Sequence, residues 1–262
     1  MSGSIRFERD AGDARIARIL ISHPGKLGAI SVAMWRALRD VAAALDAMRP
    51  ALRAVIVLGE GGHFAAGADI SEFAQFRFAP DTLRDYHEGV IAPALHALRG
   101  TDVPLIAQIE GNCVGGGLEI AACCDLRIAR PDARLGAPVA RLGFPMAPDE
   151  LDVVLAAFGR AGAAELLLEA GLLDASAALR RGLLHRLADD AAAEAWATAQ
   201  RIAQCPATVA RANKRTLRQL LAGGLTEAER AAHFGYAASA SHREGVAAFL
   251  ARRAPDFKDD PT

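Results

Sequence analysis

The chain has 262 residues, with 30 Lys and Arg against 31 Asp and Glu, a formal net charge of −1 and 52% hydrophobic residues. That balance excludes global disorder and offers no surplus of basic side chains for nucleic acid. No run approaches the roughly 20 apolar residues of a membrane span, and the N-terminal MSGSIRFERDAGDARIARILIS carries charges throughout, unlike a signal peptide. A cytoplasmic protein with one large domain, or one domain and a smaller appendage, is expected.

Residues 15–22 (RIARILIS) alternate charged and aliphatic side chains and predict a half-buried strand. Ser31 is a good N-cap for a helix in which Met34, Leu38, Val41 and Leu45 recur at helical spacing, with Pro50 as its end. Residues 53–59 (RAVIVLG) form an unbroken apolar run, the pattern of a buried strand. Residues 105–109 after Pro104 and 126–129 after Asp125 repeat it. Strands alternating with helices predict an α/β fold with mainly parallel pairing. From about Pro148 the sequence turns rich in alanine and leucine at helical spacing. Two amphipathic helices are expected over 194–205 and 208–221, with Pro206 suited to a first helical position. Gly223 and Gly224 break the pattern before a helix from Thr226 and a last one over 244–253, which leads into the polar tail APDFKDDPT. The division expected is an α/β core over 1–193 and a helical region over 194–262, without internal repeats.

Four cysteines, Cys113, Cys123, Cys124 and Cys205, include no CxxC pair, and adjacent Cys123 and Cys124 cannot easily bridge. Buried, reduced thiols are expected, with neither a disulfide framework nor a metal site.

Two glycine-bearing loops each follow an expected buried strand: 61–73 (GGHFAAGADISEF) and 111–119 (GNCVGGGLE). Three successive glycines imply that the main chain must approach something closely. LEIAACC looks helical, so Gly115, Gly116 and Gly117 stand at a helix N-terminus, where free N–H groups favour developing negative charge. A phosphate cradle is disfavoured, because no Lys-Ser/Thr follows and no GxGxxG opens the helix. An oxyanion hole built from one N–H of each loop, or a pair of tight turns without a ligand, remain as readings.

FAAGADISEF followed by IEGNCVGGGLEIAACCDLRIA resembles the crotonase superfamily, the enoyl-CoA hydratase/isomerase family. HPGKLGAIS is similar to that family's CoA-contacting turn, EAGLLDASAALRRGLLHRLADD to its segment joining core to helices, and EGVAAFLARRAPDF to its C-terminal helix. The resemblance implies a crotonase-like α/β spiral of repeated ββα units with a C-terminal helical region for trimer assembly. It also implies an acyl-CoA thioester as substrate, no other cofactor, and a homotrimer or dimer of trimers. Carried over, the oxyanion-hole amides are those of Ala68 and Gly116. CoA contacts involve Lys26, Leu27, Ala66 and Ile70, while Phe249 and Arg252 reach the nucleotide end from a neighbouring subunit.

Glu119, two residues past Gly117, matches the glutamate of the family's hydratases and is the leading general acid/base; a partner for the helix dipole is the plainer reading. The family's second hydratase glutamate follows a proline, but here Gly136-Ala137-Pro138 leads to Val139, which can neither hold water nor exchange a proton. Asp149 or Glu150, in GFPMAPDELD, is available as a substitute; a surface helix start capped by Asp149 behind Pro148 is the plainer alternative. Asp69 suits a loop anchor better than a base, and His63 a loop position. Gly28 stands where the family commonly has Asn. Trp35 and Trp196 fall in helical patterns as packing residues. The chain therefore reads as an enoyl-CoA hydratase or a double-bond isomerase, with a weakly catalytic CoA-binding assembly protein as the reading from another class.

Overall fold

The computed structural model describes residues 2–49 and 51–257. In chain order the strands are β1 (Ser4–Arg9), β2 (Ile16–Ser22), β3 (Ala54–Gly59), β4 (Leu105–Ile109), β5 (Asn112–Val114), β6 (Leu126–Ala129), β7 (Arg134–Gly136), β8 (Leu173–Asp174) and β9 (Arg186–Leu187). The α-helices are α1 (Val32–Ala44), α2 (Pro80–Tyr86), α3 (Ala92–Gly100), α4 (Gly116–Ala122), α5 (Pro148–Leu168), α6 (Ala175–Arg180), α7 (Ala191–Ala203), α8 (Ala207–Leu221), α9 (Glu227–His233) and α10 (Ala240–Leu250). Pro50, expected to end the first helix, and residues 258–262 of the polar tail lie outside the described residues.

A six-stranded sheet runs β1-β2-β3-β4-β6-β9, antiparallel only between β1 and β2, beside a three-stranded sheet β5-β7-β8. β4–β5–α4 and β6–β7–α5 are successive ββα units, each sending its long strand to the first sheet and its short strand to the second. The apolar run of β3 follows from burial on both faces. Val55 and Val57 join the main core with Trp35, Leu95 and Leu118, whereas Ala54 and Ile56 pack with Ala191, Ala195 and Ala199 of α7. The division expected at residue 193 falls within α7, whose small residues lie on the sheet.

Ser31 caps α1 by accepting from the Met34 N–H, as its sequence position suggested. Pro206 is the N-cap of α8 rather than its first residue, and α5 begins behind Ala147 with no side-chain cap, so Asp149 is not a cap. The last helix is α10, ending at Leu250, four residues earlier in its start than the sequence pattern suggested. Cys113, Cys123 and Cys124 are buried free thiols, but Cys205, at the end of α7, is exposed. No helix among the described residues is long and apolar enough to cross a membrane.

Candidate functional site

β3 and β4 are parallel neighbours, so the loops leaving their C-terminal ends emerge side by side. Three segments then zip together. The Ile30 N–H donates to Gly67 O (2.7 Å), Ala65 to Asn112 O (3.0 Å), and Val114 to Ala65 O (3.0 Å). The Ala66 N–H donates to Leu27 O (3.1 Å), joining two residues expected to contact CoA. His63, expected only as a loop residue, braces the same region by accepting from the Asn112 N–H at 3.1 Å.

The glycines permit this proximity. Gly67 (φ 98°) and Gly115 (φ 53°) adopt left-handed backbone, and a Cβ on Gly115 would lie 3.5 Å from the Gly67 Cα. A Cβ on Gly117 would meet the Ala65 carbonyl oxygen at 2.6 Å. Ala68 and Gly116 thus sit on touching loops, and neither backbone N–H donates to another group among the described residues. Gly116 opens α4, and its amide precedes the first intrahelical bond, which the Glu119 N–H gives to Gly115 O (3.0 Å).

Glu119 occupies the first turn of α4 and is 4% exposed. Among the described residues no side chain or backbone group hydrogen-bonds to its carboxyl, and its oxygens keep some accessible surface. Burial, then the negative charge of Glu150, push its pKa well above the carboxylate range, against the pull of Arg77. Tyr86 stands in the same field. Burial, followed by the charges of Glu119 and Glu150, raises its phenol, and its ring stacks on Phe76 at 3.9 Å.

Asp149 and Glu150 separate. Asp149 is 44% exposed and faces His96 (3.3 Å), away from this cluster. Glu150 is buried, and His87 Nδ1 lies 2.5 Å from its Oε1. Val139 is half-buried and packs on the core. Asp69 anchors its loop, accepting from the Ser71 N–H and Oγ and from Lys26 Nζ (2.7 Å). Burial pulls its pKa upward, but these hydrogen bonds prevail and hold it below the usual range. Lys26 and the exposed Leu27 and Ile70 therefore lie around one rim.

Phe249, 82% exposed, lines a cavity of about 1160 Å³ between α8, α9 and α10, and none of the rim residues borders it. Arg252 follows α10 at φ 51°. Within one chain the structure does not bring these two to the loop site. Trp35 is fully buried, and Trp196 packs on the sheet beneath the Arg18 guanidinium at 5.1 Å. Sequence reasoning missed Arg77, Tyr86 and His87, which belong to no motif.

Residues 11–260 match the model of the family described as enoyl-CoA hydratase/isomerase. The chain is 34% identical over 250 residues, 94% of its length and 95% of the relative's, to a Mycobacterium bovis protein named "Probable enoyl-CoA hydratase echA8". It is 33% identical over 186 residues to the cyclohexa-1,5-dienecarbonyl-CoA hydratase of Thauera aromatica, spanning 70% of this chain and 69% of that one. The crystal structure of an enoyl-CoA hydratase/carnithine racemase from Magnetospirillum magneticum superposes with a TM-score of 0.92 at 34% identity, covering 98% of this chain and 96% of that one.

Proposed function

This chain belongs to the enoyl-CoA hydratase/isomerase family, and we propose that it adds water to, or removes water from, an acyl-CoA thioester with Glu119 and Glu150 as the acid–base pair. The observation that carries this reading is that Glu119 and Glu150 are both buried, in the first turns of two helices, α4 and α5, that pack against each other. The carboxylate absent at Val139 has a counterpart on α5. Lys26, Leu27, Ala66 and Ile70 hold the CoA moiety at the rim, and the thioester oxygen lies against the Ala68 and Gly116 amides. Phe249 and Arg252 reach the nucleotide end from a neighbouring subunit of a homotrimer or dimer of trimers. The enzyme works in the cytoplasm, and CoA enters only as part of the substrate.

In hydration, the water oxygen bonds to the β-carbon while its proton passes to the Glu150 carboxylate. The π electrons shift toward the thioester oxygen, whose enolate charge the two amides stabilise; loss of one such donor costs about 10²–10³ in rate. Glu119, holding its proton because it is buried beside another carboxylate, delivers it to the α-carbon. The proton on Glu150 then returns to Glu119 through solvent, leaving the net addition of one water.

Isomerisation is the second reading, favoured by the aliphatic Val139. Glu119 alone would take a proton from one carbon and return it to another. Loss of the conjugated absorbance of crotonyl-CoA tests hydration, and its appearance from a 3-enoyl-CoA tests isomerisation. Binding calorimetry with no acyl-CoA binding at millimolar concentration would overturn both and favour neither enzyme.

A further inference from the structure

Between α2 and α3 the helix widens into a π-helical turn over His87–Ile91, the kind of local bulge that often re-aims a side chain at a functional site. His87, its first residue, is turned onto the first turn of α5, where Nδ1 reaches Glu150 Oε1 at 2.5 Å. On the opposite edge of the imidazole, Arg77 Nη1 lies 2.8 Å from Nε2. A guanidinium only donates, so Nε2 must present its lone pair and the ring proton must sit on Nδ1, donated to Glu150. Arg77 is itself fixed, with its guanidinium 3.7 Å from the Phe144 ring centre and 4.5 Å from that of Phe73. The imidazole also stands edge-on to Tyr86 at 5.2 Å.

The arrangement leaves one carboxylate oxygen committed and one available. Glu150 Oε2 has no hydrogen-bond partner among the described residues and keeps some accessible surface. Arg77 and His87, from separate segments, thus hold the Glu150 carboxylate at the start of α5, which packs against the helix that carries Glu119.

We propose that Arg77 and His87 are positioning residues: a relay in which Arg77 sets the His87 tautomer and His87 aims Glu150 Oε2 at the reacting water. The proposal rests on the reading of Glu119 and Glu150 as the acid–base pair. It identifies the water-orienting side of the site, a role that Val139 cannot fill.

The test begins with the full-length protein labelled with ¹⁵N at histidine. Long-range proton–nitrogen correlation, with His87 assigned by its loss in His87→Asn, should find His87 as the Nδ1–H tautomer. In Arg77→Met the tautomers should become mixed. An Nε2–H tautomer in the unsubstituted protein overturns the relay, whatever the activity. Steady-state kinetics on crotonyl-CoA form the second arm. Glu150→Gln should lower kcat about 100-fold, and His87→Leu about 10- to 100-fold with little change in KM. His87→Asn, whose amide N–H stands where Nδ1 does, should recover most of the loss. The Leu and Gln changes combined should lose no more than Glu150→Gln alone. Loss in Glu150→Gln with unchanged kcat in both His87→Leu and Arg77→Met would overturn the relay and leave the proposed function standing. Full activity in Glu150→Gln, or no turnover of either enoyl-CoA by the unsubstituted protein, would instead count against the function. If His87→Leu fails to fold, Arg77→Met and His87→Asn decide the same points.

Discussion

Gly116 lies against Trp35 so closely that a Cβ at residue 116 would stand 2.8 Å from the indole Cζ2. The amide proposed to hold the enolate oxygen is thus positioned by a fully buried ring from α1. Gly116→Ala should push loop and indole apart and lower kcat more than it raises KM, by about 10²-fold if the amide loses its aim. Gly117→Ala should be worse, since its Cβ would meet the rigid Ala65 carbonyl oxygen at 2.6 Å. Overpacking of that kind costs about 1–3 kcal/mol. Kinetics and urea midpoints of both variants check the order.

Glu119→Gln should abolish turnover and leave acyl-CoA binding nearly intact, because the amide keeps the shape but not the exchangeable proton. Its stability carries a second signature. In the fold, burial and then Glu150 raise the Glu119 pKa, so the folded state binds this proton more tightly than the unfolded chain. The resulting stability is complete below the ordinary carboxyl range and is lost as pH rises through the elevated value. The Tm of Glu119→Gln relative to the unsubstituted protein should therefore climb as pH rises above the ordinary carboxyl range toward the elevated value. A flat difference would mean that Glu119 ionises in the fold as easily as outside it.

Asp69 behaves in the opposite sense. Burial opposes its ionisation, but hydrogen bonds from Lys26 and Ser71 outweigh it and depress the pKa, so its contribution exists above the ordinary carboxyl range and fades as pH falls. Asp69→Ala should cost about 1 kcal/mol near neutrality, as loss of a capping side chain does. Because the Lys26 turn loses its tether, KM for acyl-CoA should rise several-fold (about 3–10-fold) with little change in kcat. Thermal melts across acidic pH and steady-state kinetics separate the two effects.

Leu217, Leu220 and Leu221 share one face of α8 and are 65%, 54% and 74% exposed in the single chain. So large an apolar stripe on the helical region supports assembly into a homotrimer or dimer of trimers. Sedimentation should find that assembly at micromolar concentration, and paired Leu217→Asp and Leu221→Asp changes should shift it toward monomer. A monomeric unsubstituted protein would contradict it.

The central strands were legible before folding because burial on both faces demands unbroken apolar runs. Residues 105–109 and 126–129 coincide with β4 and β6. The N-cap of α1 was equally legible, since a serine ahead of helical periodicity has a local job. The two glycine loops announced themselves for a related reason: close backbone approach excludes side chains, and that exclusion is written as composition. β1 escaped notice because an edge strand buries little of either face, and β5, β7, β8 and β9 are too short to carry a period.

Other features had no local signature. Glu150 reads in the sequence as one of two acids at a helix start, and the rotation of α5 against α3 and α4 decides that it is buried while Asp149 stays in solvent. His87 meets it across 63 residues, through a π-helical turn that no hydrophobic period announces. Arg77 joins from a loop between two phenylalanines. Periodicity and turn chemistry act over a few residues, so they specify strands, caps and close loops. Which charged groups share a low-dielectric interior depends on how separate elements pack, and that emerges only when the whole chain is folded.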